Sequence, residues 1–179
     1  MADTGYILAI DPGNKESGYV LVAGDTLRPL IQGKEPNEEV ISFIRACILA
    51  LLIKEQPSLA VVIERVESFG MPVGREVFDT CEWVGQFTRQ ALNMESSKID
   101  ITVHYVTRKD EKLTLCHSMK ANDATIKQAL VDRFAPGERN YGKGTNTAPG
   151  WFYGFKADIW SAYAIAVTYH DMYLQGGNT

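Results

Sequence analysis

Two periodicities of apolar residues run along the chain. Tyr6 to Ile10 is a short continuous apolar run, and Gly18 to Val22 and Leu27 to Ile31 follow it across turn-forming segments. These runs predict a buried strand with two closely spaced partners, which is the pattern of an antiparallel meander. Pro36-Asn37-Glu38-Glu39 then signals a helix start, with Asn37 able to cap and the acids suited to a helix N-terminus. Val40, Ile41, Phe43, Ile44, Cys47, Ile48, Leu51 and Leu52 follow at helical spacing, and Pro57 ends the pattern. Leu59 to Val66 is a β-rich run. Arg75 to Asn93 reads as a second helix, and Ile99 to Val106 as a fifth strand. A helix is expected near Asn122 to Phe134, with Asn122 or Asp123 as its cap. Pro136 to Gly150 is a Gly/Asn/Thr/Pro loop, and a last helix runs from about Lys156 to Leu174. The sum is an α/β layer fold with a mixed sheet.

At 179 residues the chain suits one compact domain spanning 1–179. Its 45% hydrophobic and 22% charged residues are those of an ordinary globular protein. Cys47, Cys81 and Cys116 are widely separated, so they make neither a CxxC pair nor a zinc spacing, and an odd count suits a reducing compartment. The longest apolar run, Ala46 to Ile53, is too short to span a bilayer, and the N-terminus carries no basic signal region. The expectation is a cytoplasmic protein with no membrane partner.

Net charge is −4, which by itself argues against a polyanionic partner. Its distribution changes the picture. Between Arg108 and Lys156 nine basic residues stand against five acidic ones, so this segment is positive within a negative chain. It reads either as a solvated surface or as a basic face beside an acidic site.

Three carboxylates occupy positions where a core residue would cost less. Asp11 ends the first strand, Glu64 interrupts the fourth, and Asp158 opens the last helix. Burying an ionised carboxylate costs several kcal/mol unless it is paired or binds a metal. Each has a plain structural reading as a turn, an edge or a cap: Asp11 can start the Pro12-Gly13 turn, and Asp158 can complement a helix N-terminus. Together they predict a cage for a hard divalent cation such as Mg²⁺, with Mn²⁺ as a substitute. Two such ions about 3.5–4 Å apart can stabilise both oxygens of a phosphodiester displacement.

ILAIDPGNKESGYVLV resembles the first hairpin of RuvC-type Holliday junction resolvases, in the RNase H-like superfamily. VVIERVESF is similar to their second acidic strand, and KADIWSAYAIAVTYHD to their C-terminal catalytic helix. The three segments come in the right order and cover nearly the whole chain. The resemblance implies an RNase H-like fold with a five-stranded mixed sheet flanked by helices. It also implies a magnesium-dependent endonuclease that cuts four-way DNA junctions as a homodimer, leaving 5′-phosphate and 3′-hydroxyl ends. Asp11, Glu64 and Asp158 match the family's metal-binding, catalytic acids. The second acid of the family's final pair falls on Ser161, which shares a helix face with Asp158 and could reach a metal only through a water. Asp123 is the other candidate for that fourth position.

By the same resemblance, the Arg75–Asn93 helix, with Val77, Phe78, Cys81, Trp83, Val84 and Phe87, would form much of the dimer contact. Phe69 would stack on a junction base. Arg108, Lys109, Lys112, Lys120 and Lys143 would meet DNA phosphates. The expected location is the cytoplasm of a bacterial host cell, or its nucleoid, and the divergent loops are compatible with a phage-encoded version. Two rival readings remain: an RNase H-like nuclease that processes RNA precursors, and a catalytically inactive junction-binding protein. Gly137 to Gly144 nearly matches a phosphate-binding loop, but Gly144 stands where Ser or Thr is required.

Overall fold

The computed structural model describes residues 5–53, 58–68, 70, 72–94 and 98–175. Five strands form one sheet: β1 (Tyr6–Asp11), β2 (Glu16–Ala23), β3 (Pro29–Pro36), β4 (Ser58–Arg65) and β5 (Asp100–Thr107), in the order β3-β2-β1-β4-β5. The first three pair antiparallel, while β1, β4 and β5 are parallel. Among the described residues, five α-helices flank the sheet, α4 through α3 and α5: α1 (Asn37–Ile53), α2 (Arg75–Leu92), α3 (Arg108–Cys116), α4 (Asp123–Phe134) and α5 (Ala157–Tyr169). A π-helical turn, His170–Leu174, extends α5.

Alternation along the strands sorts side chains between two cores. Ile7, Ala9, Val20, Val22 and Val62 face α5, whereas Leu8, Ile10, Leu21, Val61 and Ile63 face α1 and α2. From Ile159 to Tyr169 only Ser161 is not buried, so α5 is the central helix of its layer. Tyr163 is enclosed among Phe134, Phe152 and Phe155; its hydroxyl donates to the Leu27 carbonyl and accepts from the Trp151 indole. Both polar capacities of this buried phenol are thereby used.

The third strand departs from expectation. Leu27 lies in the preceding turn at φ +59°, and β3 runs on through Gln32, Gly33, Lys34 and Glu35. Asn37 is the first residue of α1 and is fully buried. Its side chain accepts a 2.6 Å hydrogen bond from Ser17 and donates to the Gly13 carbonyl at 2.9 Å, tying the Pro12-Gly13 turn to the helix start.

Helix α3 was not expected, because its mean hydropathy is low and its apolar spacing weak. A capping box starts it: Thr107 Oγ1 accepts from the Asp110 N–H, and Asp110 accepts from the Thr107 N–H. Asn122, not Asp123, caps α4, accepting from the Thr125 N–H. On α2 the apolar residues divide. Phe87 is fully buried in the core and Trp83 and Val84 pack against it, which removes Phe87 from any dimer contact; Phe78 is 60% exposed. No helix among the described residues is long and apolar enough to cross a membrane.

Candidate functional site

Strand register brings the first two acids together. Ile10 pairs with Ile63 across the parallel β1–β4 ladder, so Asp11 and Glu64 are the next residues on adjacent strands. They share the parity of Ala9 and Val62 and so point to the α5 side of the sheet. Asp158 approaches from that side, in the first turn of α5. Gly18, paired with Asp11 on β2, makes the approach possible: a Cβ there would lie 2.5 Å from the Asp158 carbonyl oxygen and 2.9 Å from its Cβ. Any side chain at position 18 would push the helix start away from the strand tips.

Burial raises the pKa of Asp11, and the neighbouring charges of Glu64 and Asp158 raise it further; a hydrogen bond from Ser161 works against them. Glu64 is raised by burial and by the charge of Glu111, while its hydrogen bond with Asp11 and the Arg108 guanidinium pull it down. Two like carboxylates in contact cannot both ionise freely, so the Asp11–Glu64 pair holds a proton tightly unless a cation joins it.

Beside this pair lies a further acid, one of the five within the basic segment. Glu111, on α3, has no exposed side-chain surface. Burial pushes its carboxyl up to about 7, against the pull of Arg108. Arg108 donates to one Glu111 oxygen at 2.5 Å, while the other, Oε1, has no hydrogen-bond partner among the described residues. Arg108 also bonds Asp123. It is therefore part of the carboxylate cluster, whereas Lys109 and Lys120 are exposed and Lys112 half-buried on the outer surface. The Thr107-x-x-Asp110 capping pattern was the available signal for α3, and hence for Glu111.

Asp158 is engaged elsewhere: Lys34 Nζ lies 2.5 Å from its Oδ2. In keeping with this, among the described residues no three His, Cys, Asp or Glu side chains are grouped so as to hold an ion as they stand. The donor set nonetheless fits a hard cation. It is made of carboxylate oxygens, one buried oxygen of Glu111 is unsatisfied, and Asp11 and Glu64 lack full counter-charge.

A cavity of about 350 Å³ opens beside Asp158 and Ser161, walled by Arg108, Lys127, Lys143 and Lys156. Lys143 was expected to touch DNA; Lys127 and Lys156 were not singled out. Lys127 is held with its ammonium 3.5 Å from the Tyr141 ring centroid. Phe69 lies outside the described residues.

No protein-family model matches the chain, and no curated protein does. Solved structures do. Thermus thermophilus RuvC superposes with a TM-score of 0.62 at 20% identity, over 96% of both chains. The T. thermophilus RuvC complex with a Holliday junction substrate gives 0.61 at 18% identity, again over 96% of both. The fold is that of RuvC-type Holliday junction resolvases. The yeast mitochondrial Holliday junction resolvase shares it, with a TM-score of 0.57 at 13% identity, over 96% of this chain and 80% of its own. In this RuvC-type fold the strand tips carrying Asp11 and Glu64 and the N-terminus of α5 meet at one end of the sheet.

Proposed function

We propose that this protein is a metal-dependent endonuclease that cuts four-way DNA junctions by phosphodiester hydrolysis. The observation that carries the reading is the convergence of Asp11, Glu64 and Asp158 at one end of a RuvC-type sheet, beside a lysine-walled cavity. Asp11, Glu64 and Asp158 would hold Mg²⁺ or Mn²⁺, two ions per site, with Ser161 aligned by its bond to Asp11. When bound, the metal supplies charge stabilisation at the scissile phosphate and a water of lowered pKa.

The protein's own groups do the rest. Arg108 offsets part of the negative charge of Glu111 and Glu64, so that the cluster folds before any ion arrives. Lys127, Lys143 and Lys156 draw the phosphate backbone to the carboxylates without reading sequence. A junction of near two-fold symmetry suits a homodimer, with one such site for each strand cut.

The test compares nicking in Mg²⁺ of a four-way junction, a fork, a linear duplex and an RNA/DNA hybrid. Preferential cutting of the junction supports the reading. Preferential cutting of the hybrid favours RNA processing, and tight junction binding without cutting makes the protein a binder only.

A further inference from the structure

Lys34 faces the site from the edge of the sheet. It pairs with Gly18 across the β2–β3 ladder, and so shares the α5-facing side with Gly18. Because Gly18 has no Cβ, nothing separates the lysine stem from the start of α5. The ammonium lies 2.5 Å from Asp158 Oδ2 and 3.6 Å from Glu16 Oε2. Glu16 is two residues from Gly18 on β2, the diagonal neighbour of Lys34. The three side chains, with Asp11 and Gly13, line one solvent-open cavity.

We propose that Lys34 is a resident counter-cation of Asp158, which competes with a divalent ion for that carboxylate and passes to Glu16 when the ion binds. The inference rests on the metal-holding reading of Asp11, Glu64 and Asp158. The ammonium holds Asp158 Oδ2, so a divalent ion that takes that oxygen, alone or with Oδ1, displaces Lys34 from the carboxylate. Glu16 keeps that step inexpensive, because the displaced ammonium remains within reach of a second carboxylate. The effect is to set the metal affinity of the site below what its carboxylates alone would provide, and to make Asp158 the last acid to join.

The experiment is calorimetric titration of the purified protein with Mn²⁺, with no DNA present. A half-exposed ion pair is worth a few-fold in an equilibrium constant, so Lys34→Met should tighten Mn²⁺ binding about three- to fivefold. Lys34→Arg, which keeps the charge, should bind as wild type. Lys156→Met removes a neighbouring charge not paired with Asp158 in the structure and controls for general electrostatics. Equal affinity of wild type and Lys34→Met, or an equal gain in Lys156→Met, overturns the inference while leaving the metal reading standing. No Mn²⁺ binding by wild type or Lys34→Met overturns both.

Discussion

Arg108 donates a 2.5 Å hydrogen bond to Glu111, a carboxylate with no exposed surface, and so supplies the counter-charge for an acid buried beside the candidate site. Removing one partner of a buried pair strands the other. Arg108→Met is therefore expected to destabilise the protein by about 3–5 kcal/mol at pH 8. Arg108→Met combined with Glu111→Leu should recover most of that loss, since no unpaired charge remains. Urea denaturation of the single and double variants measures both. A double variant no more stable than Arg108→Met would refute the pairing argument.

Stability should fall with rising pH when metal is withheld. Asp11, Glu64 and Glu111 all have folded-state pKa values above their ordinary ones, first through burial. Such groups bind protons more tightly in the folded chain than in the unfolded one, so their contribution is present at low pH and lost as pH rises. For Glu111 the window runs from its ordinary 4.5 to about 7. In chelator, the melting temperature should decline between pH 5 and pH 8, and Glu111→Gln should flatten the decline. A wild-type melting temperature that climbs across this window would contradict it.

Amide replacements of the three acids should separate folding from chemistry. Asp11→Asn, Glu64→Gln and Asp158→Asn each remove the charge that would bind a cation while preserving shape. Junction cleavage should drop by several orders of magnitude, because metal-assisted charge stabilisation lowers the barrier by several kcal/mol. Junction binding in a gel shift should persist. Asp11→Asn should melt at or above the wild-type temperature in chelator, since it relieves repulsion with Glu64. Ser161→Ala should cost about tenfold in rate, equivalent to about 1.4 kcal/mol. A folded Asp158→Asn variant that cuts at the wild-type rate would end the metal-cage reading.

Salt dependence of junction binding should discriminate between two sets of lysines. Each phosphate contact contributes about −0.9 to the slope of log affinity against log salt. Replacing Lys127, Lys143 and Lys156, which wall the cavity, should reduce the slope by roughly two to three. Replacing Lys109, Lys112 and Lys120 tests the outer surface of α3 and the turn after it. If only the second set flattens the slope, the DNA follows the outer surface rather than the cavity.

Helix α2 provides a paired test of the proposed dimer. Phe78 is largely exposed and Phe87 is not exposed at all. Phe78→Asp should leave the fold intact and shift sedimentation toward monomer. Phe87→Asp should lower stability severely, because it buries a charge without a partner. A Phe78→Asp protein that sediments as a dimer would move the contact to another face.

The candidate acids were legible along the chain, because apolar runs mark the carboxylates that interrupt or flank them. Asp11 ends the apolar run of β1, Glu64 interrupts that of β4 and Asp158 precedes that of α5, whereas Ser161 was placed only by the family resemblance. These are properties of consecutive residues. What tertiary structure alone decided are relations between distant ones. Glu111 became a buried acid because α3 packs against α4, α5 and β5, and charge counting along the chain carries no information on burial. Lys34 met Asp158 because the β2–β3 register puts it opposite Gly18. Phe87 and Phe78 share a helix, yet its rotation against the core sent one inward and left the other in solvent. Periodicity specifies a face, whereas contact depends on register and packing, which the whole chain sets together.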